Sequence, residues 1–264
     1  MDGDAQAPGT SRLMVAAQRE RWARRARDEF SSFAAAVVRT PDGAPMRLPL
    51  LHLAWAAHVD HCWERGLKAG IFGAGGAGFA VTLAAWLSGR DPAARVALVS
   101  ASESQARLRA RAVRQVFESA AFSGVFPGRV SGRRWSSSAL LASDSLDPEV
   151  EVRGVGGRPA APQLTHVVFE GAVDAEAAST SGRRAQQVRL VDDVWLARVP
   201  ASGKVLWIAP RLFAPGDASS TLRAREGWCW LTQAQGDAGW SQEVYGAGAD
   251  YLDDVRARVS SMLG

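Results

Sequence analysis

The chain has 264 residues, 47% of them hydrophobic, and a net charge of +4. That length supports one large α/β domain with a short appendage. A charge this small permits contact with nucleic acid without demanding it. Two cysteines, Cys62 and Cys229, exclude a disulfide scaffold and point to a reducing interior. Neither lies in a Cys-x-x-Cys pair, and His52, His58, His61 and His166 complete no metal pattern with them, so neither a metal nor a cofactor is expected. The acidic, polar start at Met1 does not resemble an apolar signal segment. No uncharged apolar run reaches membrane-spanning length. Lys68 and Lys204 are the only lysines, so arginine carries nearly all the positive charge.

Residues 1–10 read as a disordered start, and 11–45 as an N-terminal helix and linker. Ser11 is placed to cap a helix reaching Val38, with Arg19, Arg21, Arg24, Arg25 and Arg27 on a solvated face. Thr40–Pro45 is a turn. From Pro49, the residues Leu51, Trp55, Val59, Cys62 and Trp63 recur at helical spacing and form one apolar stripe.

Leu67–Phe72 is a short buried strand. A glycine-rich turn follows, Gly73-Ala-Gly-Gly-Ala-Gly78, and then an apolar helix from Phe79 to Leu87. Strand, glycine turn and helix in this order are the setting of a P-loop, and Gly73 and Gly78 have the G-x-x-x-x-G spacing. A working loop continues with Lys and then Ser or Thr. Here those positions hold Phe79 and Ala80. The lysine that reaches the β/γ-phosphates is absent, and so is the hydroxyl that ligates Mg²⁺. Backbone N–H groups at Gly73, Gly75, Gly76 and Gly78 can still form an anion nest.

Arg95–Ser100 is a second buried strand. Ser102 caps the next helix, with Glu103 in its first turn. That helix carries Arg107, Arg109, Arg111 and Arg114 opposite Val113, Val116 and Phe117. Ser123–Gly132 is a loop, followed by Arg133, Arg134 and Trp135. With Arg129, these residues pair cations with an aromatic ring, a combination that can hold a phosphate backbone and stack a base. The competing reading is a polar loop around one buried tryptophan.

Val150–Val155 is a strand candidate. Thr165–Glu170 is another apolar run, and it ends in an acid. Ser181–Val199 is helical. Lys204–Ala209 is a further strand, closed by Pro210 and Arg211. A short helix is expected at Ser219–Arg225. Trp228 and Trp230 alternate in strand fashion, and Tyr251–Met262 forms a terminal helix. Short apolar strands alternating with helices predict a mostly parallel α/β sheet covered by helices. The strands near Ala69, Val96, Val167 and Val205 should lie parallel in one sheet.

The order of these elements resembles the ATPase domain of the large terminase subunit of tailed bacteriophages, the motor that drives DNA into the procapsid. The likeness is carried by PLLHLAW at Pro49–Trp55, GAGGAGFA at Gly73–Ala80 in the Walker A slot, and the stretch Gly89–Glu118. Phe126–Ser138, Val152–Gly157, THVVFEGAV at Thr165–Val173 in the Walker B slot, and Ser181–Arg211 extend it. It covers residues 49–240 and assigns an ATPase-like domain to 46–240, with a helical tail at 241–264. The resemblance implies a P-loop NTPase-like, terminase-type fold.

It also locates the departures. Glu170 stands where a Walker B acid holds metal, and Gly171 where the water-activating carboxylate belongs. Arg107, Arg109 or Arg111 corresponds to the family's phosphate-contacting arginine, and Arg211 to the arginine of the coupling motif. Asp250, Asp253 and Asp254 read as a solvated helix start, and the family's RNase-H-like nuclease is not expected here. The implied role is a catalytically inactive, structural or regulatory module of phage DNA packaging or virion assembly. Its partners would be the portal, a small terminase or an active motor subunit, with weak nonspecific DNA contact and no membrane, in host cytoplasm or on the virion. The alternatives are an unconventional ATPase borrowing Lys68, Arg109 or a neighbour's arginine, and a nucleic-acid-binding protein with no nucleotide role. Trp228 and Trp240 are candidates for an exposed contact surface.

Overall fold

The computed structural model describes residues 8–38, 48–129, 133–142, 147–210, 212–236 and 239–263. The helices are α1 (Pro8–Asp28), α2 (Phe30–Val37), α3 (Leu50–Glu64), α4 (Gly76–Arg90), α5 (Glu103–Phe117), α6 (Ala120–Val125), α7 (Ala175–Ala178), α8 (Ser181–Arg189), α9 (Ala218–Arg223) and α10 (Tyr251–Leu263). The strands are β1 (Lys68–Phe72), β2 (Val96–Ser100), β3 (Arg133–Trp135), β4 (Ala139–Ala142), β5 (Val150–Gly154), β6 (His166–Glu170), β7 (Lys204–Ala209), β8 (Trp228–Gly236) and β9 (Gly239–Tyr245).

All nine strands form one sheet in the order β3-β4-β5-β2-β6-β7-β1-β8-β9. The six from β5 to β8 are parallel, as expected for β1, β2, β6 and β7. Antiparallel hairpin partners close both edges: β3 and β4 on one side, β9 on the other. β9 runs through position 240, the end expected for the ATPase-like unit.

Alternation along the strands divides the core into two layers. Ile71, Leu98, Val168, Leu206 and Ile208 face α1–α6 and α10. Phe72, Val99, Phe169, Trp207 and Trp230 face α7–α9. Both faces are therefore covered, which is why these strands read as unbroken apolar runs.

Several boundaries differ from the sequence expectation. The N-terminal helix breaks at Glu29, whose backbone is extended (φ −118°, ψ 118°), so that α2 turns and buries Phe30 and Phe33. The helix expected through Val199 is α-helical only to Arg189. It continues as a π-helical turn, Leu190–Trp195, and a 3₁₀ turn, Leu196–Arg198. Such widened turns commonly mark strained or functional positions. Here the turn sets Trp195 into the core, its indole N–H donating to the Val155 carbonyl at 2.9 Å.

Of the three aspartates near α10, Asp253 is exposed as expected, while the other two are also paired. Asp250 pairs with Arg65, Asp254 with His61, and Arg258 with Glu64, fastening α10 to α3. Trp228 is buried and stacked on Trp230, so it is no contact surface. The Trp240 side chain lies outside the described residues. Among the described residues, no helix is long and apolar enough to cross a membrane.

Candidate functional site

The ends of parallel strands are where open α/β sheets place ligands. Three such ends lie side by side here. Phe72 of β1 is paired with Ala209 of β7, and Ile208 of β7 with Glu170 of β6. The glycine turn after β1 and the acid ending β6 are thus separated by one strand, about 10 Å across two strand spacings.

The glycine turn is shorter than the spacing suggested. α4 begins at Gly76, so only Gly73, Ala74 and Gly75 form the turn, and Gly76, Gly78, Phe79 and Ala80 are already helical. Gly76 and Gly78 lie in the first turn of α4, whose N–H groups have no partner within the helix. Gly75 holds the αL conformation (φ +87°) that lets the chain swing into the helix. A β-carbon on Gly73 would lie 2.5 Å from the Trp55 ring, and one on Gly76 would lie 2.5 Å from Ile208 Cγ2. Close packing accounts for those two glycines without a ligand.

Phe79 is fully enclosed. Its ring lies 5.1 Å from Phe30, 5.6 Å from Trp55 and 5.7 Å from His52, centroid to centroid. Ala80 is also buried. The position that would carry a phosphate-binding cation is therefore part of an aromatic cluster joining α2, α3 and α4. His52 brings no charge in its place, because burial lowers its pKa and leaves the ring neutral at pH 7. Lys68 sits at the far end of β1, about 15 Å of strand from the turn.

At the end of β6, the Glu170 carboxylate accepts from Arg109 Nε at 2.8 Å. Both side chains are mostly buried. The contact uses Oε2, so one of the two carboxylate oxygens is committed to this guanidinium. Gly171 follows in a left-handed conformation (φ +56°), with its N–H donating to the Ile208 carbonyl. A carboxylate side chain there would be strained as well as absent.

The remaining candidate arginines scatter. Arg107 and Arg111 are exposed on the outer face of α5, and Arg114 pairs with Glu118. Arg129 hydrogen-bonds to the Ser88 carbonyl and Glu149, tying α6 to α4 and the sheet. Arg134 is exposed on the edge strand β3, while the Arg133 side chain and Arg211 lie outside the described residues. Trp135 is half-buried, edge-on to Phe117 at 5.6 Å, so its ring is committed to the core rather than free to stack a base.

Two features had no signal in the sequence. A cleft of about 450 Å³ opens where β2 and β5 end, lined by Ser102, Gly156, Asp174, Arg183, Gln187 and Leu190. The one cation among those residues, Arg183, pairs with Glu176. The second feature corrects the expectation of no metal pattern. His58, Cys62 and Cys229 converge in the core, with their ligand atoms all within 4.8 Å of one another. Cys229 comes from β8, far along the chain from α3, so no local spacing reveals the group.

No protein-family model matches the chain, and no curated protein matches it either. Among solved structures, the large terminase of bacteriophage HK97 is similar, with a TM-score of 0.50 and 14% sequence identity over 74% of this chain. The likeness spans 40% of that terminase. At this identity the comparison speaks to the backbone alone: the chain has a terminase-type, P-loop-like α/β fold.

Proposed function

We propose that the chain is a catalytically inactive terminase-large-subunit-like protein, a pseudo-ATPase with a structural or regulatory role in phage or phage-derived DNA packaging or virion assembly. The observation that carries this reading is Phe79. An apolar ring packed among Phe30, Trp55 and His52 stands where phosphoryl transfer needs a cation. Phosphates brought to the shortened turn would lose water without gaining charge, which is unfavourable. The Arg109–Glu170 pair supports the same reading, since it gives the acid a structural partner within the fold. An inert copy keeps the surfaces that pack against neighbours while losing turnover. Its partners would be the portal, a small terminase or an active motor subunit, in the host cytoplasm or on the virion.

Calorimetric titration with ATP and Mg²⁺, joined to a phosphate-release assay, tests the reading on the protein alone and in its native assembly. The expected result is neither heat nor release in either state. Micromolar binding with turnover abolished by Glu170→Ala would overturn it in favour of an ATPase. Pull-down and particle imaging test the assembly role, and a protein found only as a free monomer would count against it.

A further inference from the structure

His58 and Cys62 lie one helical turn apart on α3, so both side chains face the same way toward the sheet. Cys229, on β8, faces back at them from the adjoining layer. All three are fully buried, and both cysteines are free thiols. Tyr251, at the start of α10, closes the fourth side, with its hydroxyl 2.9 Å from His58 Nδ1. We propose that His58 Nδ1, Cys62 Sγ and Cys229 Sγ form a structural site for a thiophilic divalent cation, with Zn²⁺ the best fit, and that the Tyr251 hydroxyl is its fourth donor.

Three physical points support this assignment. The first is spacing. A tetrahedral zinc site with ordinary bond lengths has a nitrogen-to-sulfur edge of about 3.6 Å. Cys62 Sγ lies 3.8 Å from His58 Nδ1 and 3.7 Å from Nε2.

The second is the outer shell. His58 Nε2 lies 3.1 Å from the Gly70 carbonyl and donates to it, which fixes the tautomer with Nδ1 as the free ligand atom. A metal-binding histidine typically has this backing from a carbonyl.

The third is charge. Binding releases the two thiol protons, and two thiolates then cancel the charge of a divalent ion, while His58 and Tyr251 stay neutral. The net charge of the occupied site is zero. Any other balance in a fully buried position would carry a large desolvation cost. Thiolate sulfur favours zinc over the hard cations Mg²⁺ and Ca²⁺, which take oxygen ligands. Occupancy would link α3, β8 and α10, elements far apart in sequence.

The test uses the full chain purified under reducing conditions without chelator, its metal content measured by mass spectrometry. The expected result is one zinc per chain. After stripping, Co²⁺ should give tetrahedral d–d bands with a thiolate-to-cobalt charge-transfer band. Cys62→Ser and Cys229→Ser should each weaken that band, and Tyr251→Phe should shift the d–d bands while keeping it. Zn²⁺ should also raise the unfolding temperature of the stripped wild-type chain. A folded wild-type chain that takes up no metal and shows no charge-transfer band overturns the proposal. So does isolation of the chain with a Cys62–Cys229 disulfide. Both readouts use the wild type, so they decide the question even where a cysteine variant does not fold.

Discussion

Arg109 on α5 and Glu170 at the end of β6 meet at 2.8 Å, across 61 residues of chain, with only 25% and 12% of their side chains exposed. Each satisfies a charge the other would leave stranded. Arg109→Ala removes the partner of a mostly buried carboxylate, and the expected loss is about 1–3 kcal/mol of stability. Glu170→Ala should cost a similar amount, and the double variant less than the sum, with a coupling energy of about 1–2 kcal/mol. Urea unfolding of the four proteins measures this. Additive single effects would show that the two groups do not act as a pair.

Phe79 gives the sharpest contrast between a structural and a catalytic position. Phe79→Ala empties the centre of the α2–α3–α4 cluster, and the expected cost is about 3–5 kcal/mol. Phe79→Lys combined with Ala80→Thr rewrites the side chains of a working phosphate loop, but it buries an ammonium among Phe30, Trp55 and His52. That double variant should be destabilised at least as much as Phe79→Ala and should gain no ATP turnover. Denaturant midpoints and phosphate release check both statements. A stable, ATP-hydrolysing double variant would mean that only two side chains separate this chain from an active enzyme.

The sequence showed the sheet more clearly than the site. Strand β7 was legible at both ends because an apolar run, Lys204–Ala209, lies between Gly203 and Pro210. The Ser102 cap was legible because its hydroxyl accepts from the Gln105 N–H at 3.4 Å, a local contact. The start of α4 was hidden, since glycines at 76 and 78 lower helix propensity by about 1 kcal/mol each and only tertiary packing overrides that. Arg107, Arg109 and Arg111 could not be told apart by spacing. Only the approach of α5 to the end of β6 turns Arg109 inward. The His58–Cys62–Cys229 group and the buried stack of Trp228 on Trp230 depend on β8 lying beside β1, a parallel pairing that no short-range pattern encodes.

Contact with DNA is expected to be weak and driven by phosphate charge. Arg107 and Arg111 are one helical turn apart on the exposed face of α5, and Arg134 is exposed on the edge strand β3. Neutralising two or three phosphates predicts a slope of log affinity against log salt between about −2 and −3 on duplex DNA. Arg107→Ala with Arg111→Ala should flatten that slope by about 2. Fluorescence anisotropy across a sodium chloride series measures both. Salt-insensitive or sequence-specific binding would place recognition on another surface.

Stability should fall with acidification through His166. This residue opens β6, with Nδ1 2.9 Å from Thr165 Oγ1 and its ring edge-on to Trp63 at 5.6 Å. Burial lowers its pKa to about 4; Asp91 opposes that shift, and Lys204 and Arg90 add to it. In the unfolded chain an ordinary histidine titrates near 6.5. Between those two values the unfolded state binds a proton that the folded state refuses. The stability contribution is therefore full above about pH 6.5 and is lost as pH falls through about 4, with an upper bound of about 3 kcal/mol. His166→Asn removes the titrating group. Urea midpoints of wild type and variant, measured at intervals across that window, should converge as the pH falls or cross, because only the wild type carries this loss. Curves that stay parallel from neutral pH down to about pH 4 would show that His166 takes its proton as readily in the folded protein as in the unfolded chain.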